Sequence, residues 1–158
     1  MILKQRLNVI LACLFLLLAL GCKQDKCKKV TCENDGVCSD GVCTCAEGYE
    51  GSDCSTLSRS RFLGDYQCTG NCNGVNSSYT ASIEAGVTAT EVKFINLGNM
   101  GVELVGYVHG ASVEIPTQTV YPGVAISGAG HVYGSEFNVN YSLSGNSVAT
   151  GCDATWLK

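Results

Sequence analysis

The chain has 158 residues, 10 Lys and Arg against 14 Asp and Glu, 11 cysteines, 19 glycines and two prolines. This length suits one or two small domains, and the mild acidity, with no basic patch interleaved with aromatics, argues against nucleic acid as a partner. So many cysteines in so short a chain point to an oxidising compartment or to metal binding, and abundant Gly, Ser, Thr, Asn and Val favour β-structure with tight turns over helices.

The amino terminus reads MILKQRLNVILACLFLLLALGC. Lys4 and Arg6 form a basic flank, and residues 9–20 are an unbroken apolar run. That run is too short for the roughly 20 residues that cross a hydrocarbon core, but it suits the apolar stretch of a signal peptide. It ends in Ala19, Leu20, Gly21 and Cys22, which resembles a bacterial lipobox, in which the cysteine thiol is acylated and the chain cut in front of it. The resemblance implies a signal peptide over 1–21, a lipidated Cys22 carrying diacylglycerol and a palmitate-type chain, and a lipidated linker over 22–26. Two or more acyl chains anchor a protein stably without any spanning segment. The alternative is an ordinary secretory signal with an incidental cysteine. Cleavage would discard Cys13, Lys4 and Arg6, leaving 8 basic against 14 acidic residues. The tract KQDK behind Cys22 resembles in part the export tract of Bacteroidota lipoproteins. That implies an outer-membrane lipoprotein facing outward, with a periplasm-facing one as the alternative.

Residues 27–54 hold six cysteines in the order Cys27-x4-Cys32-x5-Cys38-x4-Cys43-x-Cys45-x8-Cys54. Zinc ligands usually come as C-x2–4-C pairs, often with histidine. No C-x2-C occurs here, and His109 and His131 lie far along the chain. Disulfides are therefore expected, and six cysteines allow about fifteen pairings that spacing cannot decide. The spacing, together with Gly36 in NDGVC and Gly48, Tyr49 and Gly51 in CAEGYEG, resembles an EGF-like domain over 27–54. The resemblance implies the pairs Cys27–Cys38, Cys32–Cys43 and Cys45–Cys54. With only Val30, Val37, Val42 and Tyr49 as sizeable apolar groups, such a unit must lean on its bridges. The calcium-binding subtype carries acidic residues before its first cysteine, where this chain has KQDK. Asp25 and Asp40 therefore read as solvated turn and linker residues, and neither calcium nor another cofactor is expected.

Residues 55–61, STLSRSR, read as a polar hinge. Beyond them the period becomes two: Tyr79, Ala81, Ile83 and Ala85 alternate with polar neighbours, as do Phe137, Val139, Tyr141 and Leu143. Strands are expected at 62–69, 78–85, 89–97, 102–109, 111–115, 117–121, 124–133, 137–144 and 147–157, joined by short turns such as NGVNSS, LGNMG and YGSE. This predicts a mainly β fold, with an antiparallel β domain over 62–158 closed as an up-and-down barrel, or, as the alternative, a β-sandwich. The segments FLGDY, VKFINLGNMG, VEIPTQTV and GCDATW resemble a lipocalin-like domain of Bacteroidota lipoproteins that follows an EGF-like module. That resemblance implies a bridge from an early cysteine to Cys152. Cys72–Cys152, with Cys68 a buried thiol, is the favoured pairing; Cys68–Cys152 and Cys68–Cys72 are the rivals.

No Ser-His-Asp order, H-E-x-x-H or paired carboxylate stands out. Glu84, Glu91, Glu103, Glu114 and Glu136 fall at polar-phase strand positions or beside turns, His109 and His131 in glycine-bounded contexts, and SGAGHVYG reads as a barrel bend. The expectation is a non-enzymatic lipoprotein of the cell envelope that binds an extracellular protein or glycan. A carrier of a small apolar ligand within the barrel is the second reading and a structural spacer the third. Phe94, Phe137, Tyr141 and Trp156 are the large residues expected to point inward and fill the lumen.

Overall fold

A disulfide-rich amino-terminal module leads into a closed barrel of eight antiparallel strands. In this computed structural model the described residues are 25–145 and 148–158. The signal-peptide reading of 1–21 and the lipidation of Cys22 lie outside them.

In the first module, β1 (Val37–Ser39) and β2 (Val42–Thr44) form a hairpin that places Cys38 opposite Cys43. Each of these two cysteines bonds elsewhere: the bridges are Cys27–Cys38, Cys32–Cys43 and Cys45–Cys54. Val37 and Val42 stand on the other face of the hairpin, exposed. Over residues 25–57 only Cys54 is fully buried, so covalent closure substitutes for an apolar core. On the chain-entropy model a loop of this length contributes about 3 kcal/mol. A second ladder pairs β3 (Tyr49–Glu50) with β4 (Thr56–Leu57).

The segment 55–61, polar enough to read as a hinge, is folded. After β4 comes a 3-10 turn at Ser58–Arg61, with Ser58 buried and its N–H donating to Gly48 O at 2.9 Å. Phe62 follows at once, fully buried, its ring 5.7 Å from that of Phe137. A connection pinned by Cys54 at one end and Phe62 at the other has little freedom to swing.

The barrel strands are β5 (Gly64–Cys72), β6 (Val75–Ala85), β7 (Glu91–Ile95), β8 (Glu103–His109), β9 (Ser112–Tyr121), β10 (Val124–Tyr133), β11 (Glu136–Gly145) and β12 (Val148–Leu157). Each pairs with its neighbour in sequence, and β12 closes on β5. This is an up-and-down barrel, which sets the sandwich alternative aside. Alternation drives it: Tyr79, Ala81 and Ile83 on β6, Phe137, Val139 and Tyr141 on β11 and Ala154 and Trp156 on β12 are buried while residues between them face out.

Nine strands are expected in this domain from the sequence, and eight form. Pro116 reads as a break between 111–115 and 117–121, but β9 runs through it. Proline cannot donate to a ladder and is tolerated at a bulge. Between Ile126↔Gln118 and Gly128↔Ile115, β9 carries one more residue than β10, which places the bulge at Pro116. On its other side the β8–β9 ladder stops at Tyr107↔Glu114. There the Gln118 side chain takes over: its Oε1 accepts from Val105 N–H at 2.9 Å and its Nε2 donates to Val105 O at 2.8 Å. One amide side chain replaces a peptide unit across the gap.

Candidate functional site

The lumen is packed with rings. Phe137 and Trp156 lie 5.6 Å apart between centroids, and Phe94 is 6.0 Å from each of them. Tyr66 sits 5.5 Å and Tyr79 6.4 Å from Trp156. Phe94, Phe137, Tyr141 and Trp156 are all buried. Two inward glycines make room. A Cβ on Gly106 would come within 2.6 Å of the Phe94 ring, and one on Gly130 would collide with the ring of Phe137. The glycines of SGAGHVYG, read from sequence as a bend, therefore include one that fits an aromatic ring into the barrel.

The polar atoms that enter this core are mostly satisfied. Tyr66 donates to Phe62 O, Gly98 N–H donates to the Tyr79 hydroxyl at 3.2 Å, and the Tyr141 hydroxyl lies 3.5 Å from Cys72 Sγ. Burial raises the Tyr79 hydroxyl, opposed in part by Gly98 N–H and Trp156 Nε1, the latter without a hydrogen-bond partner of good geometry among the described residues. The structure bonds Cys72 to Cys152 and leaves Cys68 as a buried thiol. Burial pushes that thiol up to about 12, so at neutral pH it carries no thiolate and is a poor nucleophile. Burial likewise raises Tyr66 and Tyr141 to about 12.

A second cluster joins the two modules. Arg59, on the 3-10 turn, points its Nη1 at the loop between β6 and β7 and donates to Gly86 O at 3.0 Å, Glu91 O at 3.2 Å and Thr88 O. Gly48 rests on the same loop: a Cβ there would meet Ala89 Cβ at 2.9 Å. Gly48 and Gly51 have φ of 86° and 97°, and Tyr49 between them pairs with Leu57 across β3–β4. The Gly-Tyr-x-Gly turn is thus also the foot on which the first module stands. Glu50 pairs with Arg61, Glu47 with His109 at 3.5 Å, and Lys158 Nζ donates to Arg61 O at 2.9 Å. Sequence reasoning missed Arg59, because its partners are backbone carbonyls some thirty positions away that carry no residue signature.

The remaining candidates are dispersed. Asp25 Oδ1 accepts from Cys27 N–H at 2.9 Å, and Asp40 pairs with Lys26 at 3.3 Å. Glu103 pairs with Lys93 at 2.8 Å, Glu91 accepts from Val87 N–H at 3.2 Å, and Glu136 accepts from Asn138 at 2.6 Å. Glu84 and Glu114 are exposed. His131 Nδ1 is 2.9 Å from Ser112 Oγ, and its ring lies 4.3 Å from that of Tyr133. Among the described residues no three His, Cys, Asp or Glu side chains converge as metal ligands.

On the outer face of β11, β12 and β5 small polar residues predominate, with Glu136, Asp153 and Asp65 as the charges. In register they form the rows Asn138–Thr155–Thr69 and Asn140–Asp153–Asn71. A depression of about 370 Å³ opens between β11 and β12, lined by Asn140, Ser142, Gly151 and Asp153 among others. Comparison with models of known protein families gives no match.

Proposed function

We propose that the chain is a non-enzymatic lipoprotein of the cell envelope, tethered through an acylated Cys22 to the outer membrane and facing outward. In this reading an EGF-like module and a lipocalin-like barrel together present a recognition surface to an extracellular protein or glycan. The observation that carries it is the ring-filled lumen, clustered on Phe137 and Trp156. A carrier of apolar ligands needs a cavity of several hundred cubic ångströms, about 300 or more. Here aromatic side chains occupy the centre of that space, which moves recognition to the outside. Support for the module's type comes from its three bridges and from the turn at Gly48, Tyr49 and Gly51. Docking through Arg59 favours a fixed surface over a loose spacer.

Mass analysis of the mature amino terminus tests the tether. The expected peptide begins at Cys22 and carries a diacylglyceryl group and a third acyl chain. An unmodified Cys22, or cleavage elsewhere, refutes the lipoprotein reading.

A further inference from the structure

The outer surface of the barrel is divided. Around β7, β8 and β9 the outward positions include Glu91, Lys93, Glu103 and Glu114, as on an ordinary solvated surface. Around β11, β12 and β5 the charges Glu136 and Asp65 lie toward one end of the strands, and the two polar rows beyond them contain one charge, Asp153. Part of this face is internally satisfied: Asn138 donates to Glu136 at 2.6 Å and accepts from Thr155 Oγ1 at 2.8 Å, and Asn71 donates to Asn76 at 2.6 Å. Those bonds hold the frame in one geometry. Within it Asn140 and Asp153 sit opposite each other in register, both exposed, and among the described residues neither side chain makes a hydrogen bond or ion pair. Beside them Gly151 presents no side chain, and a Cβ there would touch nothing within 4 Å, which keeps the depression open. At the far end of β11 the exposed Tyr133 lies opposite Glu136, its ring held against His131.

We propose that this face, with Asn140, Ser142 and Asp153 around Gly151 and Tyr133 at its end, is a binding site for a neutral oligosaccharide. The inference rests on the recognition reading above and names its ligand class. A carboxylate accepts two neighbouring sugar hydroxyls, an amide both donates and accepts, and a serine hydroxyl does either. A tyrosine ring offers a flat apolar face to the C–H side of a pyranose. Four steps along the strand take Glu136 to Asn140, roughly 13 Å, the reach of a short oligosaccharide rather than of one ring. The charges on this face, Asp153 in the rows and Glu136 opposite Tyr133, are both acidic, which disfavours an anionic ligand. Apart from Tyr133 at its end, the face lacks the Trp, Tyr and Arg that concentrate at protein hot spots.

The test titrates the mature, oxidised protein, purified in detergent, with neutral pentasaccharides of glucose, mannose, xylose, galactose and N-acetylglucosamine, followed by amide chemical shifts. At least one should move the resonances of 140–142 and 151–153. N140A and D153N should each weaken binding about tenfold, Y133A several-fold, and E103Q, on the charged side, not at all. If no pentasaccharide shifts these resonances at about 10 mM, or if binding survives N140A/D153N, the oligosaccharide site is overturned. Should that happen while a protein captured from the outside of the cell loses binding in N140A/D153N, the recognition reading stands with a different ligand. If capture also fails, both fall.

Discussion

Replacing Arg59 with alanine should loosen the amino-terminal module on the barrel without unfolding either. Nη1 carries two hydrogens and shares them among Gly86 O, Thr88 O and Glu91 O. A hydrogen bond from a charged donor is worth about 1.5–3 kcal/mol net, so two such bonds set an upper bound near 6 kcal/mol. The real loss is smaller: Arg59 is only half-buried, water can replace it, and Glu91 O keeps its bond from Gly86 N–H at 2.9 Å. About 2–3 kcal/mol remains, which shifts the docked-to-free ratio about 30- to 150-fold. The exposed Glu47–His109 pair adds at most about 1 kcal/mol, and the other ties left are the Lys158 Nζ bond to Arg61 O and the seat of Gly48 on Ala89. The assay is backbone ¹⁵N relaxation. The native protein should show one rotational correlation time for residues 27–54 and 64–157, and R59A should show a shorter time for the first module with the barrel unchanged. Lysine at 59, a single point donor without the guanidinium fork, should fall between the two. A single correlation time in R59A would refute the clamp.

Breaking Cys72–Cys152 as the C72S/C152S pair removes a bridge that spans 80 positions. On the chain-entropy model the loss is about 4.5 kcal/mol, read as a lower urea midpoint for the barrel; a loss below about 1 kcal/mol would show that the unfolded chain gains little freedom from the cut. Alkaline pH supplies the other check. Tyr66 and Tyr141 hold their protons to about 12 in the folded barrel against an ordinary 10.0, and Cys68 to about 12 against 9.0. The unfolded chain therefore gives up these protons first, so stability is whole below about pH 9 and falls as the pH rises toward 12. Tyrosine absorbance at 295 nm, followed with circular dichroism, should show Tyr66 and Tyr141 ionising only with loss of the fold. Ionisation of every tyrosine near pH 10 with the barrel intact would contradict the packed lumen.

Local pattern carried far in this chain. Period-two runs at 78–85 and 137–144 announce β6 and β11, and turn residues between them fix an antiparallel order that closes as a barrel. What the pattern could not carry was non-local. The extension of β5 to Cys72 and the start of β6 at Val75 hide among Asn, Ser and Gly, because these strand ends project beyond the apolar core and need no alternation. Pro116 reads as a break because its bulge, and the Gln118 side chain that bridges it, exist only once β8 and β10 lie alongside. The 55–61 segment reads as a hinge because serines and arginines mark solvent exposure, whereas Ser58 and Arg59 are used here against backbone. The outer-face depression likewise depends on register: Asn140 and Asp153 are 13 positions apart and become neighbours only through the β11–β12 ladder.

Closure of β12 on β5 has a consequence for biogenesis. The two strands that complete the cylinder are the first and last of the domain, so until residues 148–157 have emerged both edges stay open to foreign strands. On the envelope reading proposed above, export would present the six cysteines of 27–54 first, and they could oxidise among themselves before any barrel strand exists. Cys68 and Cys72 would then wait together for Cys152, with Cys68–Cys72 and Cys68–Cys152 as the wrong pairings open to them. In the finished fold the ladder sets Cys152 opposite Cys72 and Trp156 opposite Cys68, so correct strand register also proofreads the thiol chemistry. An oxidase acting too early would meet the wrong neighbour, and a slow one would leave the cylinder unsealed at its last seam.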